Sequence, residues 1–152
     1  MNNLETIKSM CMGMGLSILM LFPVLVQASC VLEDMPGTWM TYGVSGDTFY
    51  GEMSSTDRCK IKVNSSGSIV GSASYCKYRD RKGVHNLDVA SGKMEVNSNC
   101  VITGTLRLCR RGVCVKQIIE NGTLSTEKNV FSIVGYSKPD PDLVFSFTGL
   151  KR

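Results

Sequence analysis

Apolar residues at helical spacing are missing from this chain once its first 28 residues are passed, which excludes a helical bundle or a βα-repeat fold. Histidine is nearly missing too. His85 is the single imidazole, and zinc sites need several thiolate or imidazole ligands at paired spacings, so no metal or other cofactor is expected. There is no Gly-x-Ser-x-Gly elbow and no phosphate-binding loop, and His85 would need a nucleophile or carboxylate partner that spacing alone does not supply. The expectation is therefore a non-enzymatic protein. Long blocks of like charge are lacking: 17 basic and 13 acidic residues are intermixed, so nucleic acid is not an expected partner.

What the chain does have begins with a leader. Residues 1–8 are weakly positive, residues 9–26 are apolar, and Val26-Gln27-Ala28 is a small-x-small cleavage site before Ser29. This is the pattern of a secretory signal peptide. An uncleaved anchor is the competing reading, but Pro23 interrupts the run. A lipid anchor on Cys30 also competes, although Gln27 stands where a branched apolar residue is wanted. Cysteine parity favours soluble export. Of seven cysteines, removal of the leader takes Cys11 and leaves an even set, and acylating Cys30 would strand one thiol. The mature chain, residues 29–152, is enough for one domain with its own core and is expected to have no transmembrane segment. Its location is expected to be the periplasm or the medium.

The mature chain is organised by hairpins. In Lys60-Ile61-Lys62-Val63-Asn64-Ser65-Ser66-Gly67-Ser68-Ile69-Val70-Gly71, apolar and basic residues alternate up to an Asn-Ser-Ser-Gly turn. Related stretches follow, so hairpin repeats are expected near 60–74, 93–107 and 123–137. Gly71, Gly104 and Gly135 fall at equivalent inward places, where a missing side chain marks a bend, so the sheet is expected to coil and close. Turns are expected at Ser45-Gly46-Asp47 and Asn121-Gly122, a loop at residues 54–58, a charged connection at residues 77–83, a break at Ser91-Gly92, and no strand across residues 138–142, where Pro139 and Pro141 lack ladder donors. The fold class is all-β: a small antiparallel up-and-down barrel of about 8–10 short strands, stapled by disulfides.

For the six mature cysteines, Cys109 and Cys114 flank a four-residue turn and are expected to pair; the remainder are expected as Cys59–Cys76 and Cys30–Cys100. Cys76 and Cys109 are each followed by basic residues. Lys77, Arg79, Arg81, Lys82, Arg110 and Arg111 are therefore expected at one end of the barrel, as a cationic rim suited to a protein or an anionic envelope component. Asn64 and Asn121 each begin a glycosylation sequon, in stretches where turn chemistry favours Asn anyway.

Gly37-Thr38-Trp39, at the head of the first expected strand, resembles the Gly-x-Trp opening of calycins, the lipocalin and avidin type of barrel. Lys151-Arg152, after the last strand, resembles the lipocalin position whose cation packs over that Trp. The resemblance implies a barrel with a ligand cavity, for which Trp39, Ile69, Ile102, Phe145 and Phe147 are the candidate lining. Ser45-Gly46-Asp47-Thr48-Phe49-Tyr50 resembles, with one extra residue, the Ser-Gly-x-x-Tyr loop of secreted bacterial lysozyme inhibitors. The expected function is an exported non-enzymatic binding module acting through its rim; the alternative is a lipocalin-like carrier of a small apolar ligand, and a further alternative is a periplasmic inhibitor of a hydrolase such as lysozyme. The leader makes a direct prediction. Intact mass of the exported protein should match a chain starting at Ser29 and lacking the six hydrogens of the thiols of Cys30, Cys59, Cys76, Cys100, Cys109 and Cys114, with no acyl addition.

Overall fold

A computed structural model describes residues 29–48 and 50–152; the leader lies outside the described residues. Eight antiparallel strands run in chain order and close into a barrel. They are β1 (Gly37–Asp47), β2 (Glu52–Val63), β3 (Tyr75–Asp80), β4 (Gly83–Val96), β5 (Ile102–Arg110), β6 (Val113–Leu124), β7 (Val130–Ser137) and β8 (Asp140–Lys151). Each strand pairs with its neighbours, and the β1–β8 ladder, from Trp39 opposite Lys151 to Asp47 opposite Leu143, joins the first strand to the last. Alternation decides which side chains face in. Cys59, Ile61 and Val63 of β2 are buried, while Lys60 and Lys62 between them are only half-buried and Arg58 before them is exposed.

Several expected interruptions are strand instead. β1 runs through Ser45-Gly46-Asp47, and residues 54–58 belong to β2. β4 passes through Ser91-Gly92 and β6 through Asn121-Gly122. The reason is a β-bulge at each place, between Val89 and Ser91 in β4 and between Ile119 and Asn121 in β6. One extra residue shifts the inward phase, so Val89 and Met94, and likewise Ile119 and Leu124, are all buried although their spacing breaks the period of two. The expected charged connection shrinks to the Arg81-Lys82 turn between β3 and β4. Pro141 is also strand. The β1–β8 register stops at Leu143, and a bulge separates Tyr136 from Ser137 on the β7 side, so its missing N–H costs no ladder bond.

The stretches around 93–107 and 123–137 are the β4–β5 and β6–β7 hairpins. The stretch around 60–74 departs after Ile69, which makes a single bridge to Val63; Gly71–Ala73 is then a 3₁₀ turn rather than a strand. Gly135 does lie inward, and so do Gly43 and Gly149. Each stands opposite a phenylalanine: Gly43 opposite Phe147, Gly135 opposite Phe145, Gly149 opposite Phe131. A Cβ at these glycines would come within 2.4–2.6 Å of the facing ring. Each ring packs directly on the glycine backbone, and only glycine leaves room for it.

One end of the barrel is sealed. Trp39 is completely buried; its ring packs on Phe131 at 4.8 Å between centroids, and its Nε1–H donates to the Met35 carbonyl at 2.8 Å. Lys151 Nζ sits 5.3 Å from the Trp39 ring centroid and donates to the Asp34 carbonyl at 2.7 Å. The Cys30–Cys100 bond ties the chain ahead of β1 to the β4–β5 turn at this end. Gly135→Ala should lower the unfolding free energy by about 1–3 kcal/mol, by overpacking. Its Cβ would fall 1.9 Å from the Ile118 carbonyl oxygen, and urea denaturation against an exposed Ser132→Ala control measures the loss.

Candidate functional site

The opposite end carries the β1–β2, β3–β4, β5–β6 and β7–β8 turns, and there the interior is open. A cavity of about 270 Å³ descends from Ser45, Ser54 and Asp80 near those turns to Met94, Ile69 and Phe131 above the sealed floor. Its middle wall is apolar, formed by Ile61, Leu87, Leu106, Ile119, Ile133 and Phe145 among others. The three phenylalanines that pack on glycines, Phe131, Phe145 and Phe147, line this cavity. Of the expected lining residues, Ile69, Phe145 and Phe147 line the cavity. Trp39 and Ile102 do not: both are completely buried beneath it, since the barrel floor needs its own filling.

The three disulfides of the structure are Cys30–Cys100, Cys59–Cys76 and Cys109–Cys114. Cys59 and Cys76 are directly opposite on β2 and β3, as Cys109 and Cys114 are on β5 and β6, with Cα atoms 4.0 Å apart in both pairs. The first of these also lines the cavity.

The six basic rim candidates divide among different surroundings. Arg81, Lys82 and Arg111 are exposed at the tips of the β3–β4 and β5–β6 turns, with Arg81 3.5 Å from Glu52. Lys77 and Arg79 are exposed and alternate with Cys76, Tyr78 and Asp80, which face the cavity, so they project from the outer wall. Arg110 is half-buried. Its guanidinium donates to Tyr78 Oη and, through Nη2 at 2.7 Å, to His85 Nδ1.

That last bond sets the state of His85. A guanidinium only donates, so Nδ1 must accept and the ring proton sits on Nε2, 3.1 Å from Asp80 Oδ1. Tyr78 and His85 face each other across β3 and β4, with ring centroids 4.8 Å apart. The result is a relay from Arg110 through His85 to Asp80, beside the cavity mouth.

Two carboxyl groups line that mouth, and they respond oppositely to their surroundings. Asp57 accepts from Ser45 Oγ at 2.6 Å and from Ser55 Oγ. Burial pushes its pKa above the ordinary 3.8, and the two hydroxyls offset only part of the rise. For Asp80 burial also acts upward, but the Lys82 amide, the His85 ring and the Gly83 amide outweigh it and hold the carboxyl below 3.8. Among the described residues, no group of three or more His, Cys, Asp or Glu is placed to hold a metal ion.

Asp57, Tyr78 and Asp80 had no place in the sequence reading. The signal was the alternation itself: Ser55, Asp57, Cys59, Ile61 and Val63 share one face of β2, and Cys76, Tyr78 and Asp80 share one face of β3. Reading those stretches as loop and charged connection hid it.

No family model and no curated protein matches the chain. Among solved structures, a redesigned β-barrel is similar at 14% identity and a TM-score of 0.45, over 84% of this chain and 97% of that one.

The opposite shifts at the mouth predict opposite pH behaviour. Folded Asp57 keeps its proton to higher pH than the unfolded chain does, so its ionisation costs stability as pH rises past 3.8, and Asp57→Asn should raise the urea midpoint at neutral pH. Asp80 stabilises the fold above 3.8 and loses that contribution as pH falls, so Asp80→Asn should lower the same midpoint. Both differences should shrink in acid, as urea titrations at neutral and acidic pH would show.

Proposed function

We propose that this barrel is an exported binding protein that takes a small, largely apolar molecule into its interior through the hairpin end. The observation that carries the reading is the apolar cavity of about 270 Å³. That volume lies near the lower end of the roughly 300–1,000 Å³ of small-molecule sites. Scaled from the ~150 Å³ cavity that holds benzene, it suits an occupant of roughly ten non-hydrogen atoms.

Three further features support the reading. The floor is sealed by Trp39, Phe131 and Met35, so the interior has one entrance. The Lys151 ammonium over Trp39 agrees with the calycin resemblance. The disulfides suit an oxidising compartment outside the cytoplasm.

No helix among the described residues is long and apolar enough to cross a membrane. The outer wall carries exposed Arg58, Asp88, Lys93, Glu95, Arg107 and Lys116, charges that a lipid-facing band excludes. A reading through the cationic rim, for a protein or an anionic envelope component, draws less support. Lys77 and Arg79 leave the mouth for the outer wall, and Arg110 is engaged by Tyr78 and His85.

Octanol, at about the right size, is the probe. NMR titration of the oxidised mature chain should show saturable binding, with shifts concentrated at cavity residues such as Leu106, Ile119 and Ile133. Leu106→Trp or Ile119→Phe, each filling the hollow, should weaken binding at least about tenfold while leaving the melting temperature within a few degrees. Absence of saturable binding, or binding that survives both fillings, overturns the reading.

A further inference from the structure

The cavity has an apolar body, and the two charged side chains on its wall, Asp57 and Asp80, are both acidic. Asp57 shares the inward face of β2 with Cys59 and Ile61 and lines the cavity near its mouth. It accepts hydrogen bonds from the hydroxyls of Ser45 and Ser55. Among the described residues the ion pairs join Arg81 to Glu52, Lys93 to Glu95 and Lys128 to Asp34, His85 hydrogen-bonds Asp80, and none of these contacts includes Asp57. A half-buried carboxylate without a cation is costly, and hydroxyl donors repay only part of its lost hydration.

The chain's own cations nearby are committed elsewhere. Arg58, next in sequence, points outward with its guanidinium 5.5 Å from the Tyr42 ring centroid. Arg110, beside the mouth, is held by Tyr78 and His85 and borders a second hollow with Val84, Asn86 and Asp88. The second charged group on the cavity wall, Asp80, is also acidic.

We infer that the occupant of the cavity is an amphipathic cation: an alkyl or aryl body of roughly ten heavy atoms lodged among the apolar side chains, with a protonated amine at the mouth paired to Asp57. This rests on the cavity reading above and adds to it the chemical class of ligand. The fit is complementary at both ends of such a molecule. The hydrocarbon displaces water from the apolar wall, and the ammonium supplies the charge that Asp57 lacks. Its three N–H donors match an acceptor set of Asp57 and the neighbouring Ser45 and Ser54 hydroxyls. A carboxylate head would meet Asp57 and Asp80 across the same opening and be repelled; an uncharged head would leave Asp57 uncompensated.

The test uses three molecules with one tail, octylamine, octanol and octanoate, titrated at neutral pH into the oxidised mature protein by calorimetry. Octylamine is expected to bind about tenfold or more tighter than octanol, the margin between a charge-assisted and a neutral hydrogen bond, with octanoate weakest. In Asp57→Asn the two favoured ligands should bind alike. Equal affinity of octylamine and octanol for the native chain overturns the inference while leaving the cavity reading intact. So does tightest binding of octanoate, which would transfer the head group to Arg110, and so does a preference for the amine that survives Asp57→Asn. Failure of all three ligands to bind overturns both readings together.

Discussion

The ladder between β1 and β8 turns a sheet into a wall, and closure makes two demands on the chain. Every strand must present one face to a single interior, and the strands must curve enough for the first to meet the last. The bulges in β4 and β6 answer the first demand by moving the inward phase one residue wherever the apolar pattern slips. The Gly–Phe pairs on β1, β7 and β8 bear on the second. A strand that carries glycine where a large ring approaches can curve closely against its neighbour, while the ring covers the exposed backbone. The same rings border the hollow. An eight-stranded barrel is narrow enough for its side chains to fill, so rings packed onto wall glycines take up less of the interior than the same rings over larger neighbours.

The two ends of the barrel do different work. At one, Trp39, Phe131, Met35 and the Cys30–Cys100 bond make a closed floor whose polar atoms are paired, the indole N–H with Met35 and the Lys151 ammonium with Asp34. At the other, the hairpin turns stand around an opening, and the polar groups there are less settled. Asp57 is buried against hydroxyls, with no countercharge. Chains hold such a group against their own stability where a site requires it. Beside it, Asp80 is well satisfied through His85 and Arg110. That relay ties Arg110 of β5 to the β3–β4 hairpin beside the mouth and engages its guanidinium with Tyr78 and His85.

The architecture was legible because alternation is local. Ile61 and Val63, or Phe145 and Phe147, announce a one-sided strand within a few residues, and the absence of helical spacing leaves an all-β answer. The errors share a physical origin. Ser91-Gly92, Asn121-Gly122 and Ser45-Gly46-Asp47 carry residues that favour turns and also bulges, and a local reading cannot tell whether the chain reverses there or slips by one residue. Pro141 misled for a related reason: a proline is excluded from a ladder only where a partner needs its N–H, and at the barrel's lip none does.

The residues by themselves determined the fold class, the cysteine parity and the alternation that turns particular side chains inward, because each depends on neighbours along the chain. The site was decided only in three dimensions. How much of the interior is filled depends in part on rings from β7 and β8 packing onto glycines on the strands beside them. Whether a carboxylate is paired depends on which cations the closed wall turns outward, as with Arg58, or ties up, as with Arg110. Such facts join positions far apart in sequence, and they come into being when β8 meets β1.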